Sequence, residues 1–154
     1  MSLAAIWRQF TLMFLFMAAA AFVLFRLLGM VFPDFTMNSV NSVGFIIPVL
    51  AAMQVGQRHY SKTGTRLAGA SAWKAALLAS VTVALFGVGV LMVMGKLLDA
   101  PLYHEIMRDP GYLPILAVVV AGMAGLQLPG IRAALWFGGR SAEKSAERLA
   151  TKGK

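Results

Sequence analysis

The sequence predicts an all-α polytopic membrane protein, a bundle of four transmembrane helices, and three observations carry that prediction. Of 154 residues, 59% are hydrophobic and 13% charged, where soluble domains run nearer a quarter charged. Four apolar stretches follow one another along the chain, each near the roughly 20 residues that a membrane crossing needs. The basic residues between them alternate in density, as loops on opposite sides of a membrane do. The four crossings and their connections use nearly all of residues 1–154, so one domain is expected, with no room for a separate soluble catalytic domain.

The first stretch, 10–32, begins after Trp7 and Arg8 and ends at Pro33-Asp34. Its Ala18 to Ala21 run imitates a signal-peptidase site, but the apolar run continues to Leu28, so a retained helix is expected. The second, 38–57, is the least hydrophobic, carrying Asn38, Ser39, Asn41, Ser42, Gln54 and Gln57, yet it is free of charge throughout. Asn38 or Ser39 suits an N-cap. Pro48 removes a backbone donor and predicts a kink. The third and fourth, 75–95 and 111–131, are uncharged and long enough on their own account. Small residues recur at four-residue spacing in both: Ala76, Ser80 and Ala84, then Ala117, Ala121 and Gly125. Such rows let helix backbones approach where dispersion drives association. They serve either packing within one bundle or a contact between copies.

Between the third and fourth stretches, Pro101 suits a first helical position. Leu102, Tyr103, Ile106 and Met107 fall on one side of a two-turn helix and His104, Glu105 and Arg108 on the other. A short helix in the outer, periplasmic membrane interface is expected. The tail 132–154, rich in alanine and long charged side chains, predicts a solvated cytoplasmic helix from Arg140 onward.

Charge sets the orientation. Eleven of the 14 basic residues fall to one side: Arg8, Arg58, Lys62, Arg66, Lys74, Arg132, Arg140, Lys144, Arg148, Lys152 and Lys154. Lys96, Arg108 and Arg26 fall to the other. This split predicts both termini in the cytoplasm. The same topology accounts for the net charge of +8, so nucleic acid is not an expected partner.

Arg26 lies about two turns inside the outer end of the first stretch, where a charge is costly unless it is paired or reaches water. It is a candidate for binding an anion or lipid phosphate; the ordinary alternative is snorkelling, or pairing with Asp34, Asp99 or Asp109. Asn38, Asn41 and Ser42 share one helix face in the same outer half. With Arg26 they form a candidate polar cluster, either lining a cavity or hydrogen-bonding between helices.

No metal site, cofactor or catalysis is expected. The absence of cysteine excludes disulfides and thiolate ligands. His59 and His104, the only histidines, are placed on opposite sides and read as interfacial side chains. No crossing carries an acidic residue for proton coupling, and no phosphate-binding loop or serine-centred elbow occurs.

The stretch Ser42-Val-Gly-Phe-Ile-Ile-Pro-Val-Leu-Ala-Ala, the Gly56 to Tyr60 exit, the basic Lys62 to Arg66 loop and Trp73-Lys74 resemble an uncharacterised family of short four-span bacterial inner-membrane proteins. The family's arginine-plus-acid pair in the cytoplasmic loop has no counterpart, since residues 58–74 contain no acid. The resemblance implies this topology and a bacterial inner membrane, without an activity. The expected function is that of a non-enzymatic accessory or scaffold subunit, associating with lipids and with other membrane subunits or itself. The alternatives are an oligomeric small-solute or ion pathway, a holin-like protein, or an immunity membrane protein.

Overall fold

The computed structural model describes residues 2–31 and 43–152, and no strand occurs among them. The chain forms α1 (Leu3–Val31), α2 (Val43–Thr63), α3 (Gly69–Leu97), α4 (Pro101–Arg108) and α5 (Tyr112–Lys152). α1, α3 and α5 are long and apolar enough to cross a membrane, the mark of a multi-pass membrane protein. α2 is not among these three. Its described part begins at Val43 and its last turns, from Gln57 to Thr63, are polar or charged.

Local chemistry explains the element ends. Ser2 Oγ accepts the Ala5 amide at 3.3 Å and caps α1. α2 stops where Gly64 takes a positive φ of 66° and its amide donates to the Tyr60 carbonyl. α3 closes with Asp99 in the left-handed region, at φ 52°, while the Ala100 amide donates to the Gly95 carbonyl. Pro101 then opens α4, as its fixed φ and missing donor favour.

The four longer helices form a ring. α1 packs against α2 and α3, and α5 packs against the same two, most extensively against α2. Consecutive helices α2 and α3 therefore lie across a diagonal. Trp7 meets Thr82 and Phe14 meets Phe86, so α1 and α3 run parallel. Arg132 lies over Trp73, while the Met123 side chain borders Gly87, so α5 runs antiparallel to α3.

The core occupies one half of this ring. It combines Ile6, Phe10 and Phe14 of α1 with Ala51, Ala52 and Val55 of α2. Ala72, Ala75, Ala76, Ala79 and Val83 of α3 and Ile131, Ala134 and Leu135 of α5 complete it. This half adjoins the start of α1 and the 64–68 loop, and is called the basic end below. Toward the α4 end the helices expose large apolar side chains, among them Phe16, Phe22, Leu27, Leu91, Leu97, Leu113 and Val118.

The α2–α5 crossing is the tightest contact. A Cβ on Gly56 would overlap the Leu135 carbonyl oxygen, and one on Gly138 would overlap that of Met53. Only glycine lets the two backbones meet so closely. Both helices also continue through an internal proline, Pro48 and Pro129, which deprives the carbonyls of Gly44 and Gly125 of their usual helical donors.

One sequence expectation is corrected. The fourth apolar stretch and the charged tail are one unbroken helix of 41 residues, roughly 60 Å long. Arg132 does not end it: the guanidinium lies over the Trp73 ring at 5.7 Å, and Ile131, Ala134 and Leu135 around it are core. The two small-residue rows are placed differently. Ala76, Ser80 and Ala84 of α3 are fully buried, but Ala117, Ala121 and Gly125 are exposed. The buried side of α5 passes instead through Ala124, Ile131, Leu135 and Gly138. Neighbouring residues on a helix differ by about 100° in direction, so Ala124 faces the bundle while Gly125 does not.

Candidate functional site

The expected polar cluster is only partly within reach of the structure. Arg26 is exposed on the C-terminal half of α1, among exposed apolar neighbours such as Leu24 and Leu27. It makes no ion pair with a described residue. Asn38, Asn41 and Ser42 lie outside the described residues. Gln54 is exposed and Gln57 half-buried. Pro48 is fully buried inside α2.

His104 behaves as an exposed side chain on α4, and its Nε2 lies 2.6 Å from Asp99 Oδ1. The contact ties the first turn of α4 to the residue that ends α3. Tyr103 packs beside Gly95, and the Tyr112 hydroxyl donates to Glu105 at 3.4 Å. Among the described residues, no group of three histidine, cysteine or acidic side chains is arranged to hold a metal ion.

His59 departs from its expectation as an interfacial side chain. It is 7% exposed, because the 64–68 loop folds back over the last turns of α2. Gly64 and Gly69, with φ of 66° and 61°, bracket that loop. Thr63 stiffens its start: its hydroxyl donates to the His59 carbonyl at 2.8 Å, and the Thr65 hydroxyl and amide approach Thr63 Oγ1 at 3.2 and 3.4 Å. Leu67 is buried in the core.

The result is a recess of about 270 Å³ at the basic end, lined by Leu3, Ile6, His59, Thr65, Arg66, Leu67, Ala68 and Ser71. Three elements meet there: the start of α1, the end of α2 and the start of α3. Its apolar wall comes from Leu3, Ile6, Leu67 and Ala68, its polar wall from His59, Thr65, Arg66 and Ser71.

The electrostatics of the recess are positive in sense. α3 has no side-chain cap at Ala68 and no acid in its first turn, leaving the positive end of a 29-residue helix uncompensated by its own sequence. Ser71, in that first turn, donates its hydroxyl to the Ala68 carbonyl at 3.2 Å instead of capping an amide. Arg66 Nε lies 3.1 Å from Glu143 Oε2 of α5, an ion pair that is partly exposed. Burial pushes the His59 imidazole below its ordinary value, and the positive charge of the chain's amino group adds to that push. His59 Nδ1 is sealed from solvent without a hydrogen-bond partner, which is costly for a polar atom.

Around this end lies a girdle of tryptophans. Trp7 Nε1 donates to Thr82 at 2.9 Å, Arg132 lies over Trp73 at 5.7 Å and Arg140 over Trp136 at 5.0 Å. Tryptophan paired with arginine or a hydroxyl suits a membrane–water boundary, where one side of the ring is apolar and the other wet.

The recess, the girdle and the loop were not legible as a site because each needs residues far apart in sequence: Leu3, His59, Arg66 and Ser71. The only available signal was the glycine pair Gly64 and Gly69 around a threonine-rich loop. Comparison with known proteins returned no matching family model, no curated relative and no solved structure of similar fold.

Proposed function

We propose that the chain is a four-crossing, non-enzymatic protein of the bacterial inner membrane, with both termini in the cytoplasm, acting as an accessory or scaffold subunit of a larger assembly or of a homo-oligomer. The fourth crossing is α2. Supporting it is the shared recess: Leu3 and Ile6 at the start of α1 and Leu67 before α3 line the same pocket. A chain that leaves this end through α1 and starts α3 from the same end has to return through 43–63. The modest hydropathy of α2 is compatible with this, because Ala51, Ala52, Val55 and Gly56 face protein rather than lipid. The basic side chains between 58 and 74 and those of the α5 tail favour the cytoplasm for this end. The resemblance to short four-span bacterial inner-membrane proteins agrees with that placement.

The observation that carries the scaffold reading is the exposed face of α5. Ala117, Ala121 and Gly125 are turned away from the chain's own bundle, and nothing stands within 4 Å of a Cβ placed on Gly125. A small-residue row facing outward in a membrane favours contact with another helix. Extraction in mild detergent after crosslinking in cells should recover a partner or an oligomer, and Ala121→Leu should reduce that product several-fold. A monomer before and after crosslinking would defeat the reading.

A second reading, an ion or small-solute pathway through an oligomer, draws on Arg26, whose charge lies among exposed apolar side chains without an ion-pair partner among the described residues. Liposomes containing the protein should then leak selectively, and Arg26→Ala should change the selectivity. Tight liposomes under every gradient would dispose of it.

A further inference from the structure

We propose that the seam between α3 and α5 at the basic end binds the phosphate of an anionic phospholipid, with the Arg132 guanidinium as its anchor. The two helices reach the membrane boundary at the same place. On α3, Trp73 and Lys74 stand immediately before the uncharged run 75–95, and on α5, Arg132 stands immediately after the uncharged run 112–131. The Arg132 guanidinium lies 5.7 Å from the centre of the Trp73 ring, so the boundary on one helix touches the boundary on the other. Tryptophan and arginine at the end of an apolar run mark the level at which lipid headgroups lie.

Arg132 is held in place with its charge unmatched. Its Nε is covered by protein and its guanidinium is within cation–π range of the indole. The terminal nitrogens are neither covered nor hydrogen-bonded to a described residue, and no described carboxylate pairs with Arg132. Arg66 is the contrast, since Glu143 already takes its charge. A guanidinium resting on an aromatic ring keeps its donors in its own plane, in the fork that matches two phosphate oxygens. About two turns along α5, on the same side of the helix, Arg140 lies over Trp136 at 5.0 Å and also has no carboxylate partner among the described residues. The pair of cations selects a headgroup with net negative charge over a zwitterionic one, whose own ammonium they repel. Leu77, one turn from Trp73 toward the apolar part of α3, is half exposed and gives an acyl chain a surface to lie on. A phosphate anchor with apolar surface one turn away fits a lipid better than a free phosphate.

The full-length chain in neutral-detergent micelles provides the test, read as the thermal unfolding midpoint. Phosphatidylglycerol, phosphatidylcholine and glycerol 3-phosphate are titrated separately. Phosphatidylglycerol should raise the midpoint by roughly 5–10 °C at a hundred times its dissociation constant, and the other two should not. Arg132→Gln should weaken phosphatidylglycerol binding about tenfold, the loss of a charge-assisted hydrogen bond. Arg132→Lys keeps the charge and the stem but not the fork, and should weaken it several-fold. Arg148→Gln, which removes an exposed charge of the tail, should leave it unchanged. The parent chain gives a second readout that needs no variant. Phosphatidylglycerol brominated on its acyl chains should quench the tryptophan fluorescence more than equally brominated phosphatidylcholine at the same mole fraction. Equal quenching by the two lipids, or equal losses in Arg132→Gln and Arg148→Gln, would mean diffuse charge attraction and no site. A full response in Arg132→Lys would rule out the guanidinium fork, and a matching response to glycerol 3-phosphate would rule out the lipid. Only the leaflet that supplies the lipid rests on the orientation proposed above, and cysteine labelling reads that orientation separately from binding.

Discussion

At Gly56 and Gly138 the opposing backbone occupies the place where a side chain would stand, so these two residues decide how closely α2 and α5 approach. Gly56→Ala and Gly138→Ala should each destabilise the fold by about 1–3 kcal/mol, the usual cost of forcing atoms into a packed contact. Gly125→Ala is the contrast, because it meets open space. It should be neutral within one chain or stabilise by up to about 1 kcal/mol through helix propensity. Unfolding midpoints in detergent separate the two classes, and equal effects at the three positions would refute the close-approach argument. His59 gives a second prediction, from its lowered pKa. The unfolded chain takes up a proton near the ordinary value of 6.5, whereas the folded chain does so only at lower pH. As pH falls through 6.5 the unfolded state holds more protons, so stability declines from about pH 7 downward and stops declining below the folded value. His59→Gln should remove the decline in that window. Parallel curves for His59→Gln and the parent chain would show that another group is responsible.

At the scale of elements, α3 was legible in the sequence because an uninterrupted apolar run fixes a helix through length alone, and α1 because its apolar run is long enough to absorb the single charge of Arg26. α4 was legible from Pro101 and the side-to-side partition of its apolar and charged residues. α5 was legible in existence but not in extent. Arg132 looks like a boundary, yet its guanidinium rests on Trp73 while the helix continues beneath it. The burial phase of α5 was not legible either. A row of small residues says which faces permit close approach, whereas the choice between Ala121–Gly125 and Ala124–Gly138 depends on the partner helices. The recess escaped notice for the same reason: a buried histidine results from how a loop closes, and the local sequence around His59 reads as a polar helix end. The structure of α5 predicts how it tolerates shortening. Residues 144–151 are exposed, so ending the chain after Glu143 should move the unfolding midpoint by no more than about 2 °C, equivalent to roughly half a kcal/mol. Ending it after Trp136 removes Gly138, Gly139 and the Arg66 partner Glu143, and should leave no cooperative transition. Similar behaviour of the two truncations would mean that the crossing at Gly138 contributes little.

For the whole molecule, the packing is uneven. The basic end holds the buried core, the glycine crossing and the recess, whereas the α4 end presents apolar side chains outward. In water such a surface would be an aggregation liability, and in a bilayer it is what lipid requires. The proposed fourth crossing draws on the same unevenness, through geometry rather than hydropathy. If α2 did not cross, the start of α1 and the 64–68 loop would lie on opposite sides of the membrane, and Leu3, Ile6 and Leu67 could not share a recess. The chain contains no cysteine, so single substitutions provide unambiguous probes. Ser61→Cys at the end of α2, His104→Cys on α4 and Ser145→Cys on the α5 tail are all exposed positions. A membrane-impermeant maleimide added to intact cells should label only His104→Cys, and Ser61→Cys and Ser145→Cys should react only after the membrane is opened. Labelling of Ser61→Cys from outside, with Ser145→Cys still protected, would mean that α2 does not cross. Labelling of both from outside would keep the four crossings and reverse the orientation. The exposed row on α5 would be unaffected by that reversal, but the recess would then face the outer leaflet.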